Sequence, residues 1–447
     1  MDLYPHQPAA VAFLKARKRC CLADDQGLGK TISVAVAARE LGIVSMAIVA
    51  PSVALWNWQR ELKQWHGIDA CVVASSDDVP EQTPACVITS HALLLKDHVR
   101  QALGRRGLLV VDESHQFCRR NTKQESQRAR VLYTKVVPKM ARVWCLTGTP
   151  ASNNASELWS MLHHLMPETF TESFRAFRER YCRLKPTMYG DGWKPDANKN
   201  LPELKQRMSG FILRRLKKDV LSLPAKRVET LSVRPVTMPP GLTELAQRLQ
   251  RRVYGAKGEA KAEAIAALDD VVSADTPAEA FAAMMSHEDL SRFRRLSGIA
   301  KVQPALELIE SEFDAGLDCI VLFAQHTAVI DALRVGLAKH RPVVVDGRVA
   351  AADRTKAVDA FQTGRANVFI GQIQAAGTAI TLTRACEALF VELSYVPGDN
   401  AQAADRIYRI GQTRPCRVRF LSLAHSIDEI IVKVVREKVA MIQELMS

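Results

Sequence analysis

The sequence predicts an α/β fold of two lobes, each a mostly parallel sheet wound by helices, with a helical insertion between them. Three observations predict it. Short apolar runs alternate with amphipathic stretches from residue 1 to about 165, the pattern left by parallel strands and crossover helices. A second block with the same alternation begins near residue 300. Between the first apolar run and the first helical stretch lies Asp24-Asp25-Gln26-Gly27-Leu28-Gly29-Lys30-Thr31, a glycine turn in the strand-to-helix setting that a phosphate loop requires. At 447 residues the chain is long for one compact domain, and the expected division is 1–165, 166–300 and 301–447.

In the first block Cys20-Cys21-Leu22-Ala23 reads as a buried strand and Ile32 to Ala38 as a helix. Met46–Ala50, Ala85–Thr89, Leu108–Val111 and Arg142–Leu146 are the clearest further strands. Each ends where a polar cluster begins, as expected when ligands bind beyond the carboxyl ends of parallel strands. In the second block the strands are Cys319–Phe323, Pro342–Val345, Ala366–Ile370 and Ala388–Val391. The stretch between the blocks reads as helical, with a Tyr/Gly/Pro/Lys-rich interruption from Lys185 to Pro202 expected to be an exposed loop. The Ala-rich, charged segment Gly255 to Asp270 fits either a solvated helix or a linker.

Composition narrows the function. A net charge of +13 favours a polyanionic partner, with nucleic acid foremost. The ten cysteines are scattered, with no C-x-x-C pair, so neither a disulfide framework nor a zinc site is expected. No apolar run approaches the ~18 residues of a membrane span, and Met1-Asp2-Leu3-Tyr4-Pro5 lacks the features of a signal peptide. The expected place of work is the cytoplasm, with no membrane and no zinc.

The chemistry concentrates at strand ends. Gly27 and Gly29 let the backbone around Leu28 approach phosphate oxygens, and the following helix start adds N–H donors. Lys30 would reach the terminal phosphates and Thr31 would ligate Mg²⁺. Asp24 stands where the general pattern has its first glycine. Val110-Val111-Asp112-Glu113-Ser114-His115 follows another strand: Asp112 would hold Mg²⁺ and Glu113 would orient and deprotonate a water. An Asp-Glu pair alone is most often surface charge; its place behind a buried strand and downstream of the loop points to a site. Leu146-Thr147-Gly148-Thr149-Pro150 ends a further strand, with two hydroxyls around a glycine.

In this order these pieces resemble the motors of helicase superfamily two, and more narrowly the Swi/Snf-type DNA translocases, over nearly the whole chain. The resemblance implies two RecA-like lobes, ATP and Mg²⁺ as cofactors, and DNA as partner. Leu3-Tyr4-Pro5-His6-Gln7 is similar to the family's glutamine motif, implying that Gln7 reads adenine. Ile48–Ser52 with Trp56–Glu61, and Ile88–His91, look like segments that contact DNA, and Phe211-Ile212-Leu213-Arg214-Arg215-Leu216-Lys217-Lys218-Asp219-Val220 resembles the segment that marks the Swi/Snf type. The implied nucleic-acid contacts are Pro51, Trp58, Ser90, Thr149, Arg214 and Arg215. Val321–His326 and Val345-Asp346-Gly347 fall where the family has second-lobe motifs.

Gln402-Ala403-Ala404-Asp405-Arg406-Ile407-Tyr408-Arg409-Ile410-Gly411-Gln412 is the most specific match, and it implies roles for Gln402 at the nucleotide and for Arg406 and Arg409 in catalysis. On a helix the two arginines, three residues apart, would share a face and supply charge for phosphoryl transfer as an arginine finger does. Ala375 to Thr383 looks like the version in the HepA-related, annealing-helicase branch, with Gly377 a nucleotide-site candidate and Ala379 in place of a second glycine. The expected function is thus an ATP-dependent translocase on double-stranded or branched DNA that remodels DNA structures or protein–DNA complexes, guided by DNA shape or a protein partner. In a bacterium or phage-infected cell it would be nucleoid-associated. The alternatives are a strand-separating helicase, the motor subunit of a restriction or phage-defence complex, or a non-catalytic DNA-binding scaffold.

Overall fold

A computed structural model of the chain describes residues 3–82, 84–118, 125–151, 154–186, 193–234, 287–376, 380–394 and 397–424. The segment Gly255 to Asp270 lies outside the described residues. Contacts divide the chain into two units, the first holding the described residues up to Leu223 and the second those from Pro224 onward.

The strands of the first unit are β1 (Arg19–Leu22), β2 (Met46–Ala50), β3 (Cys71–Val73), β4 (Cys86–Ser90), β5 (Arg106–Val111), β6 (Met140–Leu146), β7 (Cys182–Pro186), β8 (Trp193–Asn198) and β9 (Ile212–Leu213). Seven of them form one sheet in the order β3-β4-β2-β5-β6-β1-β9, with every pair parallel. Alternate residues go to different cores: Ala47, Val49, Leu109, Val111 and Cys145 pack on one face, and Met46, Ile48, Leu108, Val110 and Trp144 on the other. A sheet covered on both faces needs continuous apolar strands. That is why β2 is buried at all five positions and was legible as a strand.

The second unit contains β10 (Lys226–Val233), β11 (Ile320–Ala324), β12 (Pro342–Val345), β13 (Val368–Gln372), β14 (Glu387–Phe390) and β15 (Cys416–Leu423). They form a parallel sheet in the order β10-β15-β14-β11-β13-β12, again between two cores, one holding Val321, Phe323 and Phe390 and the other Ile320, Leu322 and Leu389. The α/β class with two mostly parallel, helix-wound sheets is as expected. Among the described residues no helix is long and apolar enough to cross a membrane.

The stretch from Lys185 to Pro202 departs from the expected loop. Lys185 and Pro186 end β7, which pairs antiparallel with β8 from Cys182↔Asn198 to Pro186↔Trp193, and Pro202 sits in the first turn of the helix Leu201–Arg207. A two-stranded ribbon has only edges, where a proline without an N–H is tolerated, and proline suits a helix start. The partition also falls elsewhere than at 166 and 300. Residues 166–223 belong with the first unit, which they enter through β9, and β10 joins the second sheet beside β15.

Candidate active site

β1 runs between β6 and β9, and its carboxyl end leads into the phosphate loop. Gly27 and Gly29 take φ of 81° and 74°, left-handed values that favour glycine, and Gly29 caps the helix α2 (Lys30–Glu40). A Cβ at Gly29 would lie 2.2 Å from Gln7 Nε2, so any larger residue there would displace the Gln7 amide. Lys30 turns back over the loop, its ammonium donating to the carbonyls of Asp24 at 2.6 Å and Asp25 at 3.2 Å. Leu28 buries its side chain and its carbonyl meets His6 Nε2 at 2.9 Å. Gln7 begins the helix α1 (Gln7–Lys15); its Oε1 accepts from Tyr4 N at 2.9 Å and its amide faces the Gly29 carbonyl at 3.4 Å.

Arg214 and Arg215, expected at a nucleic-acid interface, are instead committed to the loop. Arg215 Nε donates to Asp24 Oδ1 at 3.0 Å and its Nη2 to Oδ2. Arg214 donates to the carbonyls of Ala23 at 3.1 Å and Gly148 at 3.2 Å, and pairs with Asp25 at 3.4 Å. Asp24 is only 1% exposed, and a buried carboxylate needs a partner; that requirement fixes the Arg215 guanidinium, while Arg214 is held by the two carbonyls and Asp25. Burial works against the charge of Arg214 and lowers its pKa, while Asp25 and Asp24 oppose the shift.

β5 delivers Asp112 and Glu113. Asp112 Oδ2 accepts from Trp58 Nε1 at 2.8 Å and Oδ1 from the Glu113 N–H at 2.9 Å. Burial, then the neighbouring Glu113 charge, raises the Asp112 pKa to about 6. Glu113 takes a left-handed φ of 47°, a conformation that costs a non-glycine residue about 1 kcal/mol or more and recurs at functional sites. Its carboxylate lies 3.4 Å from His115 Nδ1, which in turn meets Thr147 Oγ1 at 3.0 Å. Thr147 Oγ1 also accepts from Thr149 N at 3.0 Å. His91 bridges the Asp112 carbonyl at 2.9 Å and Gln116 at 3.0 Å, and burial lowers its pKa to about 4. Gln26 lies across Gly148, where a Cβ would meet its Cγ at 2.4 Å.

Two more expected nucleic-acid contacts prove to be interior. Trp58, in the helix α3 (Leu55–Trp65), is 1% exposed and serves Asp112, and Ser90 closes β4 at 3% exposure. Both sit under the surface because α3 and β4 supply one of the sheet's cores. Pro51 and Thr149 are half-buried. Trp58 thus faces the sheet and Asp112. The signal that could have found it is helical spacing: Leu55, Trp58 and Leu62 make one apolar stripe, leaving Trp56 exposed.

In the second unit the helix Pro397–Ala404 carries Gln402 and stops before Arg406. Arg406 and Arg409 therefore do not share a helical face, as expected from their spacing, but lie in the turns that follow. They converge by another route, both donating to the Ile380 carbonyl, at 3.4 and 3.0 Å. Gln412 shapes those turns, its amide donating to the carbonyls of Thr383, Ala385 and Ile407. Burial lowers the Arg409 pKa, opposed by Asp405. Gly377, with Ala379, lies outside the described residues.

The first unit's residues fit a nucleotide and a divalent cation. Asp112 and Glu113 are adjacent carboxylates whose mutual repulsion and burial a cation would relieve. Lys30 is near enough to Asp112 to lower its pKa, and the ammonium rests on carbonyls that phosphate oxygens can replace. A parallel α/β sheet with a phosphate loop, a carboxylate pair on a neighbouring strand and a polar third strand end has the make-up of a phosphate-loop nucleotide-binding site.

Residues 6–254, over half of the chain, match the SNF2-related domain, and residues 300–411 match the helicase conserved C-terminal domain. The chain belongs to the SNF2-related family. Among curated relatives it is 30% identical over 450 residues to the Xenopus laevis SWI/SNF-related matrix-associated actin-dependent regulator of chromatin subfamily A-like protein 1, covering 98% of this chain and 43% of that protein. It is 29% identical over 462 residues to the Bos taurus protein of the same name, covering 99% and 45%. With the human DNA annealing helicase and endonuclease ZRANB3 it shares 28% identity over 452 residues, covering 96% and 39%. The chain thus spans less than half the length of these relatives. Among solved structures, the Sulfolobus solfataricus SWI2/SNF2 ATPase core in complex with dsDNA is 23% identical, with 100% of this chain and 93% of that chain covered and a TM-score of 0.44.

Proposed function

We propose that the chain is an ATP-driven translocase on double-stranded or branched DNA that remodels DNA structures or displaces bound protein. The observation that carries the reading is the joint geometry of the first unit: Lys30 folded over the loop carbonyls, with the buried Asp112 and the left-handed Glu113 at the end of β5. Lys30 would exchange its carbonyl partners for terminal phosphate oxygens. Thr31 and Asp112 would hold Mg²⁺, which when bound supplies positive charge to the phosphates. Glu113 would accept a proton from the attacking water. Gln7 would offer an amide N–H to adenine. Arg406 and Arg409 are the candidates for the guanidinium charge that phosphoryl transfer draws on.

DNA as the partner is supported by the net charge of +13 and by family membership. The relative named an annealing helicase supports action on DNA structure. ATP and chromosomal DNA meet inside the cell, where such a motor would act. The test is ATPase activity with duplex, single-stranded, forked and RNA ligands, run beside strand displacement. Stimulation by duplex or forked DNA without strand separation is expected. Strong unwinding with stimulation by single strands alone would replace the reading with that of a strand-separating helicase.

A further inference from the structure

Asp24 occupies the place of a phosphate-loop glycine, and its carboxylate is buried beneath the loop. We propose that Arg215 is a positioning residue for the nucleotide site, neutralising that carboxylate and tying the loop to the segment that carries Gln7. This rests on the ATP-binding reading above.

One guanidinium makes all the connections. Its Nε and Nη2 grip both oxygens of Asp24, the Nε bond at 3.0 Å, and its Nη1 donates to the His6 carbonyl. His6 in turn holds the Leu28 carbonyl at 2.9 Å, and Gln7 lies against Gly29. The circuit is closed through the backbone, because Asp25 N donates to the Arg215 carbonyl at 3.0 Å and Ala23 N to that of Leu213 at 2.7 Å. A fork of fixed N–H groups suits this task, and an ammonium does not, since three acceptors in different directions must be met at once.

Charge explains why the clasp is needed. A triphosphate brings several negative charges to a loop that already contains two carboxylates. Asp25 is answered by Arg214 at 3.4 Å and by the Lys217 N–H at 3.0 Å. Asp24 is answered by Arg215. Without that guanidinium, an unpaired buried carboxylate would lie under the phosphate cradle, and the His6-Gln7 segment would lose its tie. The first effect weakens phosphate binding for any base; the second narrows the preference for adenine.

The experiment is equilibrium binding of Mg·ADP and Mg·GDP to the full chain and to Arg215→Gln, Asp24→Asn and the double variant, each checked for folding by thermal melting. Arg215→Gln is expected to lose at least about tenfold in ADP affinity. The double variant should return to within about threefold of wild type, because the unpaired charge is gone, while its ADP-over-GDP ratio stays below that of Asp24→Asn. Wild-type affinity in Arg215→Gln, or a double variant no better than Arg215→Gln, overturns the proposal. If Arg215→Gln does not fold, the comparison of Asp24→Asn with the double variant decides, and equal base ratios overturn it. A wild-type chain that binds neither nucleotide overturns the ATP reading itself, and the clasp with it.

Discussion

The indole N–H of Trp58 points at Oδ2 of Asp112 from 2.8 Å, while the Glu113 N–H holds Oδ1 at 2.9 Å. Together they fix the plane of a buried carboxylate that also feels the charges of Glu113 and Lys30. Trp58→Phe keeps most of the packing and removes one of the two donors. A hydrogen bond to a charged acceptor is worth roughly 1.5–3 kcal/mol, so the Mg²⁺ concentration for half-maximal nucleotide binding should rise about tenfold or more. A Mg²⁺ titration of ADP binding measures this, and an unshifted midpoint would show that the indole serves only the core.

Asp112 illustrates a site retained at the expense of stability. Its folded pKa, raised to about 6 by burial and Glu113, lies above the unfolded value near ~3.9. Its stabilising contribution is therefore present below the unfolded value and lost as pH rises through about 6. Relative to wild type, Asp112→Asn should therefore gain stability as pH rises from about 4 to neutrality, on top of a fixed loss where its amide NH2 replaces one of the two acceptor oxygens, while ATP turnover is abolished. Urea unfolding at neutral pH and near pH 4 checks it, since the gain should shrink at the lower pH.

His91 has the opposite sign in the same window. Its folded pKa, lowered to about 4 by burial, lies below the unfolded value near ~6.5. The stability it contributes is present above the unfolded value and lost as pH falls through about 4. His91→Gln should flatten the acid arm of the stability curve between those limits, by up to about 3 kcal/mol. Unfolding curves at several pH values would register this, and parallel acid arms for variant and wild type would count against it.

The strands that carry the site were the easiest part of the chain to read. β2 is buried throughout, and β5 and β6 are buried over their last four residues, Leu108–Val111 and Val143–Leu146, so those stretches are apolar without interruption. β9 and β15 were missed for two different reasons. β9 is two residues long, too short for any period. β15 contains Arg417 and Arg419, which look like solvent positions, yet Arg419 is 2% exposed because Glu312 and Glu387 answer its charge. Long-range pairing of that kind leaves no local mark. The same holds for the site: Lys30 and the Asp112-Glu113 pair were legible as motifs, whereas the roles of Trp58, Arg214 and Arg215 depend on partners 54 to 209 residues away.

Turnover and DNA binding should separate. Glu113→Gln leaves a side chain of the same shape that cannot accept a proton, and general-base loss costs about 10²–10⁴ in rate. Lys30→Ala removes the ammonium from the loop and should also weaken ATP binding. In both variants most of the DNA affinity should persist and fall with added salt, as phosphate contacts require. ATPase assays beside DNA titrations at two salt concentrations test this, and retained turnover in either variant would remove that residue from the catalytic site.

In the second unit Arg419 is a buried cation. Its Nη2 donates to Glu312 Oε2 at 2.7 Å and approaches Glu387 Oε2 at 3.3 Å, while Arg417 holds Glu387 from the other side at 2.9 Å. Removing one partner of a buried ion cluster costs up to about 3–5 kcal/mol, here because Glu312 loses its two-point partner and Arg417 alone is left to answer both carboxylates. Arg419→Met should therefore destabilise the second unit by that amount, although methionine is apolar and the site is interior. Adding Glu312→Gln removes one of the stranded charges and should recover part of the loss. Urea unfolding of the two variants makes the comparison, and a single variant as stable as wild type would mean that β15 gains its stability from packing alone.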